Sequence, residues 1–186
     1  MAFDRSELDS MRQRWEQANV EVEEAGDWRP LAEFYTADAT YGWNYGPGWD
    51  FMAVGRDEIR DYAVGYEMDG LEGWTYPYQT WVIDERTGDM IGLWKQVFTA
   101  HRPDGTPYAL EGVQGSWFKY AGDFTFGWQR DFFDYGNVTA LYTEMLNAGV
   151  ATAGMHKRIE RVLDAAERRE PLPGWYKLGQ APVPFW

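Results

Sequence analysis

Four runs decide the fold: WTYPYQTWVID (74–84), MIGLWKQVFTAH (90–101), YALEGVQGSWFKY (108–120) and FTFGWQRDFFD (124–134). Each is rich in aromatic and β-branched residues, which suit a pleated, half-buried surface. They are separated by Glu85-Arg86-Thr87-Gly88, Pro103-Asp104-Gly105 and Ala121-Gly122-Asp123, interruptions that each contain a glycine. Glycine supplies the backbone freedom that tight hairpins need. Four strands joined by three short turns predict an antiparallel meander.

The chain before that stretch reads as helical. Ser6 to Asp9 reads as a capping box, and Leu8, Met11, Trp15, Ala18 and Val22 then recur at helical spacing. Gly26 ends that helix, and Asp27 can cap a short second one carrying Leu31 and Phe34. A strand-like run, Thr40 to Tyr45, stops at Gly46-Pro47-Gly48. A third helix from about Asp57 has Ile59, Tyr62, Ala63 and Tyr66 on one face. After the meander come a helix bearing Val138, Leu141, Tyr142 and Met145, another near 154–168, and a proline-rich tail, 170–186, that predicts no regular structure. The fold class is α+β: a strongly curved antiparallel sheet wrapped around the N-terminal helices. That shape is a cone with an interior pocket, followed by a C-terminal helical extension. Residues 1–148 form the cone domain; 149–186 form an extension packed on the same domain or on a partner subunit.

Composition narrows the function. The 186 residues suit one domain, and 17 Lys and Arg against 30 Asp and Glu give a net charge of −13. Such a surface repels phosphate backbones and anionic membranes, so nucleic acid and membrane are excluded as partners. Cysteine is absent, which excludes disulfides, thiolate nucleophiles and cysteine-based metal sites, and suits a reducing cytoplasm. No apolar run approaches a membrane span, and the N-terminus has no signal-peptide pattern. The aromatic content is high, with 11 Trp, 12 Tyr and 10 Phe, and favours a pocket for a flat, aromatic or polycyclic ligand.

The order of elements and three segments resemble nuclear-transport-factor-2-like proteins. Gly26-Asp27-Trp28 with Leu31-Ala32-Glu33-Phe34-Tyr35-Thr36-Ala37-Asp38-Ala39-Thr40-Tyr41 looks like the opening of that family. Gly55-Arg56-Asp57-Glu58-Ile59 resembles its third-helix start. Gly127-Trp128-Gln129-Arg130-Asp131-Phe132-Phe133-Asp134 resembles the last strand of its limonene-epoxide-hydrolase-like and SnoaL-like (polyketide-cyclase-like) branches. The ketosteroid-isomerase-like pattern is not met, because Trp43 or Asn44 and Ser116 fall where its two acids stand. The histidine pair of scytalone-dehydratase-like members is also missing, since His101 and His156 read as surface residues. Against the epoxide-hydrolase pattern, Asp131 falls on the water-activating acid and Tyr41 with Asn44 near its Tyr/Asn pair. Lys95 stands where an arginine would be, and Val97 replaces the proton-donating acid.

The candidate catalytic residues are therefore Asp131, Lys95 and Tyr41. Asp131 shares a strand face with Gln129 and Phe133, where aromatic surroundings would raise its pKa. Lys95 shares a face with Leu93 and Val97, either paired with an acid or facing the pocket as a cationic donor. Candidate substrate-binding residues are Trp43, Asn44, Tyr45, Trp117, Glu111 and Gln129; no metal or cofactor is expected. The resemblance and the aromatic richness together imply a cofactor-independent lyase, dehydratase or isomerase. Its substrate would be an aromatic or polycyclic oxygenated compound, including a formaldehyde-releasing reaction on lignin-derived aromatic dimers. The alternative is a non-catalytic small-molecule binder, and the family resemblance implies a homodimer paired through the convex sheet face.

Overall fold

The first helix, α1 (Arg5–Ala25), buries the apolar stripe Leu8, Met11, Trp15 and Val22 that its periodicity announces. The computed structural model describes residues 2–46, 48–168 and 170–186; Pro47, in the Gly-Pro-Gly interruption, lies outside them. The cap of α1 is Asp4 rather than Ser6. The Asp4 carboxylate accepts from the Ser6 and Glu7 amides at 2.7 and 3.2 Å, so the helix starts one residue before Ser6. Gly26, at φ 68°, closes its other end.

A 3-10 helix (Arg29–Phe34) leads into β1 (Tyr35–Asn44), a strand longer than the Thr40–Tyr45 run suggests. After β2 (Trp49–Val54), the α-helical turn α2 (Arg56–Glu58) continues as a π-helix (Ile59–Tyr66). The remaining strands are β3 (Trp74–Thr75), β4 (Tyr78–Asp84), β5 (Asp89–Trp94), β6 (Val97–His101), β7 (Pro107–Ala109), β8 (Gly115–Gly122) and β9 (Thr125–Phe132). Helices α3 (Tyr135–Ala148) and α4 (Ala153–Arg168) follow, and β10 (Trp175–Lys177) comes last.

The architecture is α+β, with a large curved sheet and packed helices. The main sheet has seven strands in the order β10-β2-β1-β9-β8-β5-β4, and β3, β6 and β7 form a second sheet of three. The simple meander is corrected in one respect: three of the four runs each hold two strands. The run 90–101 breaks at Lys95-Gln96, so β5 pairs with β8 while β6 turns back with β7 into the small sheet. In the large sheet β1 lies parallel to β9, and its other pairings are antiparallel. The tail is also more regular than its prolines suggest, because β10 pairs with β2, placing Trp175 opposite Phe51.

Local chemistry fixes the sheet's faces. The β8–β9 turn is a two-residue loop with Asp123 and Phe124 at φ 49° and 55°, the left-handed pair of a type I′ turn. Its strain is offset by the Phe124 amide donating to the Tyr120 hydroxyl at 2.9 Å and by Arg14 lying 4.4 Å from the Phe124 ring. On the concave face Gly92 leaves the space that Tyr78 and Trp81 occupy. A Cβ there would meet Tyr78 at 2.4 Å. Trp15 is the hub of the core, edge-on to Phe34, Tyr35, Phe118 and Phe126 at centroid distances of 5.3–6.1 Å. Aromatic pairs in this geometry contribute about 0.5–1.5 kcal/mol each beyond their area.

Candidate functional site: an aromatic cavity with two polar ends

Register places the site. Asp131 on β9 is opposite Ser116 on β8 and Trp43 on β1, while Gln129 is opposite Phe118 and Tyr41. Side chains alternate along strands, so Asp131, Gln129, Tyr41 and Trp43 share the concave face. The opposite row, Val82, Ile91, Trp117 and Arg130, belongs to the convex face. The concave residues line a cavity of about 160 Å³ between the sheet and the helices.

At one end the Asp131 carboxylate is held on both oxygens. The Tyr41 hydroxyl donates to Oδ2 at 2.5 Å and the Gln129 amide to Oδ1 at 2.7 Å. Tyr35, buried in the core, donates to the Gln129 carbonyl and stacks on Tyr41 at 6.1 Å. Burial raises the Asp131 carboxyl above its usual value. Hydrogen bonds from Gln129, Ser116 and Tyr41 and the charge of Arg130 oppose this without cancelling it. Burial also raises the Tyr41 hydroxyl well above its usual value, and the neighbouring Asp131 charge adds to it. The phenol therefore keeps its proton and holds the carboxylate in place.

The other end is built by the C-terminal part of the chain. Arg158 on α4 pairs with Glu67, just beyond the π-helix, at 2.9 Å, with 11% and 4% of their side chains exposed. Arg158 also donates to the Tyr45 hydroxyl at 2.8 Å and to the Glu67 main-chain carbonyl, and the Trp175 indole donates to Glu67 at 2.8 Å. Burial opposes the Arg158 charge, but the Tyr45 and Glu67 oxygens outweigh it and hold the guanidinium protonated. A groove of about 240 Å³ between α3 and α4 shares Tyr45, Tyr135, Val138, Tyr142 and Arg158 with the cavity.

Of the sequence candidates, Asp131, Tyr41, Trp43, Tyr45 and Gln129 line the cavity. Lys95 does not: it is exposed, and its amide bonds to the Pro77 carbonyl at 3.1 Å in the break between β5 and β6. Continuing the alternation of β5, Gly92, Trp94 and Gln96 face the cavity side, while Lys95 falls with Ile91 and Leu93 on the opposite face. Trp117 lies on the convex face, 5.4 Å from the Trp186 ring. Asn44 is exposed at the end of β1 and donates to Asp50 at 2.6 Å. Glu111 is exposed between β7 and β8, its main-chain carbonyl accepting from Asn137. Arg158 carries no local sequence signal, sitting among other charged residues of α4, and Glu67 offers only its place beside the apolar stretch Ala63-Val64-Gly65-Tyr66. Arg130, on the convex face, donates to the Pro184 and Phe185 carbonyls, and burial holds its pKa down to about 10. His101 and His156 are exposed.

No family model matches the sequence, and no curated protein sequence matches it. Solved structures do match. PrhC from Penicillium brasilianum is 16% identical with a TM-score of 0.54, over 82% of this chain and 96% of that one. A protein described as nuclear-transport-factor-2-like, from Anabaena variabilis, is 16% identical with a TM-score of 0.52, over 72% and 94%. The fold is the nuclear-transport-factor-2-like cone. A protein provisionally described as a polyketide cyclase, from Xanthomonas campestris, matches this cone at 18% identity and a TM-score of 0.50, over 74% and 97%. These identities carry the fold and no more. Among the described residues no helix is long and apolar enough to cross a membrane.

Proposed function

We propose that the chain is an enzyme that moves a proton on a small, hydrophobic, oxygen-bearing ring compound, as a lyase, dehydratase or isomerase without a cofactor. The observation that carries this reading is Asp131, a carboxyl with a raised pKa facing a largely aromatic cavity. A base near the operating pH removes a carbon-bound proton more effectively than an ordinary surface carboxylate, because its conjugate acid is weaker. In this reading Asp131 takes the proton, Tyr41 and Gln129 fix the carboxylate, and Trp43 and Tyr45 form part of the wall.

The size of the cavity narrows the substrate. A cavity of about 150 Å³ lined by apolar side chains admits benzene, and this one is about 160 Å³. Single-ring compounds fit that space better than polycyclic ones or linked aromatic dimers, so release of formaldehyde from a lignin-derived dimer is the less favoured reaction. The reading also includes pairing of two copies through the convex face, where Val82 is 62% exposed. A cytoplasmic location is proposed on the absence of cysteine from the sequence.

A second reading, a non-catalytic binder, is favoured by one feature: both Asp131 oxygens already hold donors from the protein. The two readings separate in deuterium oxide. Proton–deuterium exchange next to the carbonyl of single-ring ketones, followed by NMR, is expected with the wild type and not with Asp131→Asn. Exchange that is absent from the wild type, or unchanged by Asp131→Asn, favours the binder.

A further inference from the structure

Four indoles line the cavity, those of Trp15, Trp28, Trp43 and Trp94. Two of them are satisfied within the protein: Trp15 donates to the Tyr78 hydroxyl at 2.7 Å and Trp94 to the Ser116 hydroxyl at 2.9 Å. The other two are not. Trp28 and Trp43 are 5% and 6% exposed, and among the described residues the indole nitrogen of each is buried without a hydrogen-bond partner. An orphaned buried donor is costly, and native structures retain few of them.

We propose that these two N–H groups receive the oxygen of the ligand, which makes the ligand a neutral single-ring compound bearing a carbonyl or ether oxygen. This inference rests on the reading of the cavity as the substrate site. Three observations support it. Trp43 sits opposite Asp131 in the sheet register, so its side chain leaves the sheet on the same face as the proposed base. Its ring is fixed by stacking on Phe51 at 3.9 Å and by an edge contact to Tyr41 at 5.3 Å, so the donor is rigid before a ligand arrives. The charges of the cavity select against an anion. Among the described residues Arg158 is the lining cation, and it is already paired with Glu67, while Asp131 adds negative charge. A carboxylate ligand would meet repulsion without a free cation to offset it.

The test compares three probes of similar size: acetophenone, ethylbenzene, which lacks the oxygen, and benzoate, which carries a charge. Affinities are measured by ligand-observed NMR and calorimetry on the full chain. In the wild type acetophenone is expected to outcompete benzoate. Trp28→Phe and Trp43→Phe each keep a flat ring and remove the N–H. Each is expected to lower the ratio of acetophenone to ethylbenzene affinity, by up to about tenfold for a neutral hydrogen bond. Trp74 supplies the control, because its indole nitrogen is also unpartnered but does not line the cavity. Trp74→Phe is expected to leave the ratio unchanged. If Trp43→Phe fails to fold, Trp28→Phe reads the same quantity. A ratio unmoved by both cavity variants, tighter binding of benzoate, or no binding of acetophenone overturns the inference. Asp131→Asn is expected to keep the ratio while losing proton exchange. In the wild type, proton exchange without the acetophenone preference overturns this inference alone, and the preference without exchange overturns the proposed function alone.

Discussion

The Tyr41 hydroxyl and the Asp131 carboxylate meet at 2.5 Å because β1 and β9 run side by side in parallel, placing Tyr41 opposite Gln129 and Trp43 opposite Asp131. The phenol that stacks on Tyr35 is thereby also the group that orients the buried acid. The carboxylate is held in a low-dielectric setting by neutral donors rather than by a cation in direct contact. That is why burial prevails and its pKa rises.

Asp131 leaves a signature in stability. A carboxyl whose native pKa lies above the unfolded value of 3.8 binds its proton more tightly when folded. That contribution is complete below the unfolded pKa and is lost as pH rises through the raised native value. Against Asp131→Asn, which stays neutral, wild-type stability is expected to fall with rising pH by about 1.4 kcal/mol per unit of pKa difference. Urea unfolding from about pH 3 to about pH 8 measures this. A difference that grows with pH is the opposite result.

Tyr41→Phe removes one donor from the carboxylate and keeps the ring. The loss of one hydrogen bond costs about 1 kcal/mol of stability. It also removes an interaction that lowers the Asp131 pKa. The acid limb of the kcat/KM profile is therefore expected to shift upward in the variant, a change that a merely structural tyrosine would not cause. Rate profiles of wild type and variant on one exchanging ketone check it.

The Arg158–Glu67 pair is expected to matter for stability well beyond a surface ion pair. Removing one partner of a buried pair leaves the other charge uncompensated, at a cost of about 3–5 kcal/mol. Glu67→Gln should destabilise strongly, and adding Arg158→Met should restore much of the loss. A double-mutant cycle by urea unfolding measures the coupling; additive single effects would contradict it.

Lys95→Ala and Trp117→Phe test the corrected site from the other side. Lys95 is exposed, and Trp117 belongs to the convex face. Proton exchange and acetophenone binding are expected to be unchanged in both. Stability in Lys95→Ala is expected within about 0.5 kcal/mol of wild type. Loss of exchange in Lys95→Ala would return that lysine to the chemistry.

Much of the cone was legible because period and punctuation agree over its elements. Leu8, Met11, Trp15 and Val22 announce α1, and the alternation of Gln129, Asp131 and Phe133 gives the face of β9. The concave set Tyr41, Trp43, Tyr45, Gln129 and Asp131 follows from that alternation once the strands are assigned. Lys95 and Trp117 are misplaced for one reason: their parity is legible, Lys95 going with Ile91 and Trp117 lying opposite Ile91, but which face of a doubly apolar strand turns inward is not. Glu67 and Arg158 are brought together from 91 positions apart, a pairing that no local pattern encodes.

The most direct measurement is the titration of the Asp131 side-chain carboxyl by carbon-13 NMR, assigned by comparison with Asp131→Asn. The expected result is a pKa above the ordinary value of 3.8, moving further up when acetophenone fills the cavity and displaces water from the carboxylate. A pKa at or below the ordinary value, insensitive to acetophenone, would contradict the claim that Asp131 is a buried base facing the ligand site.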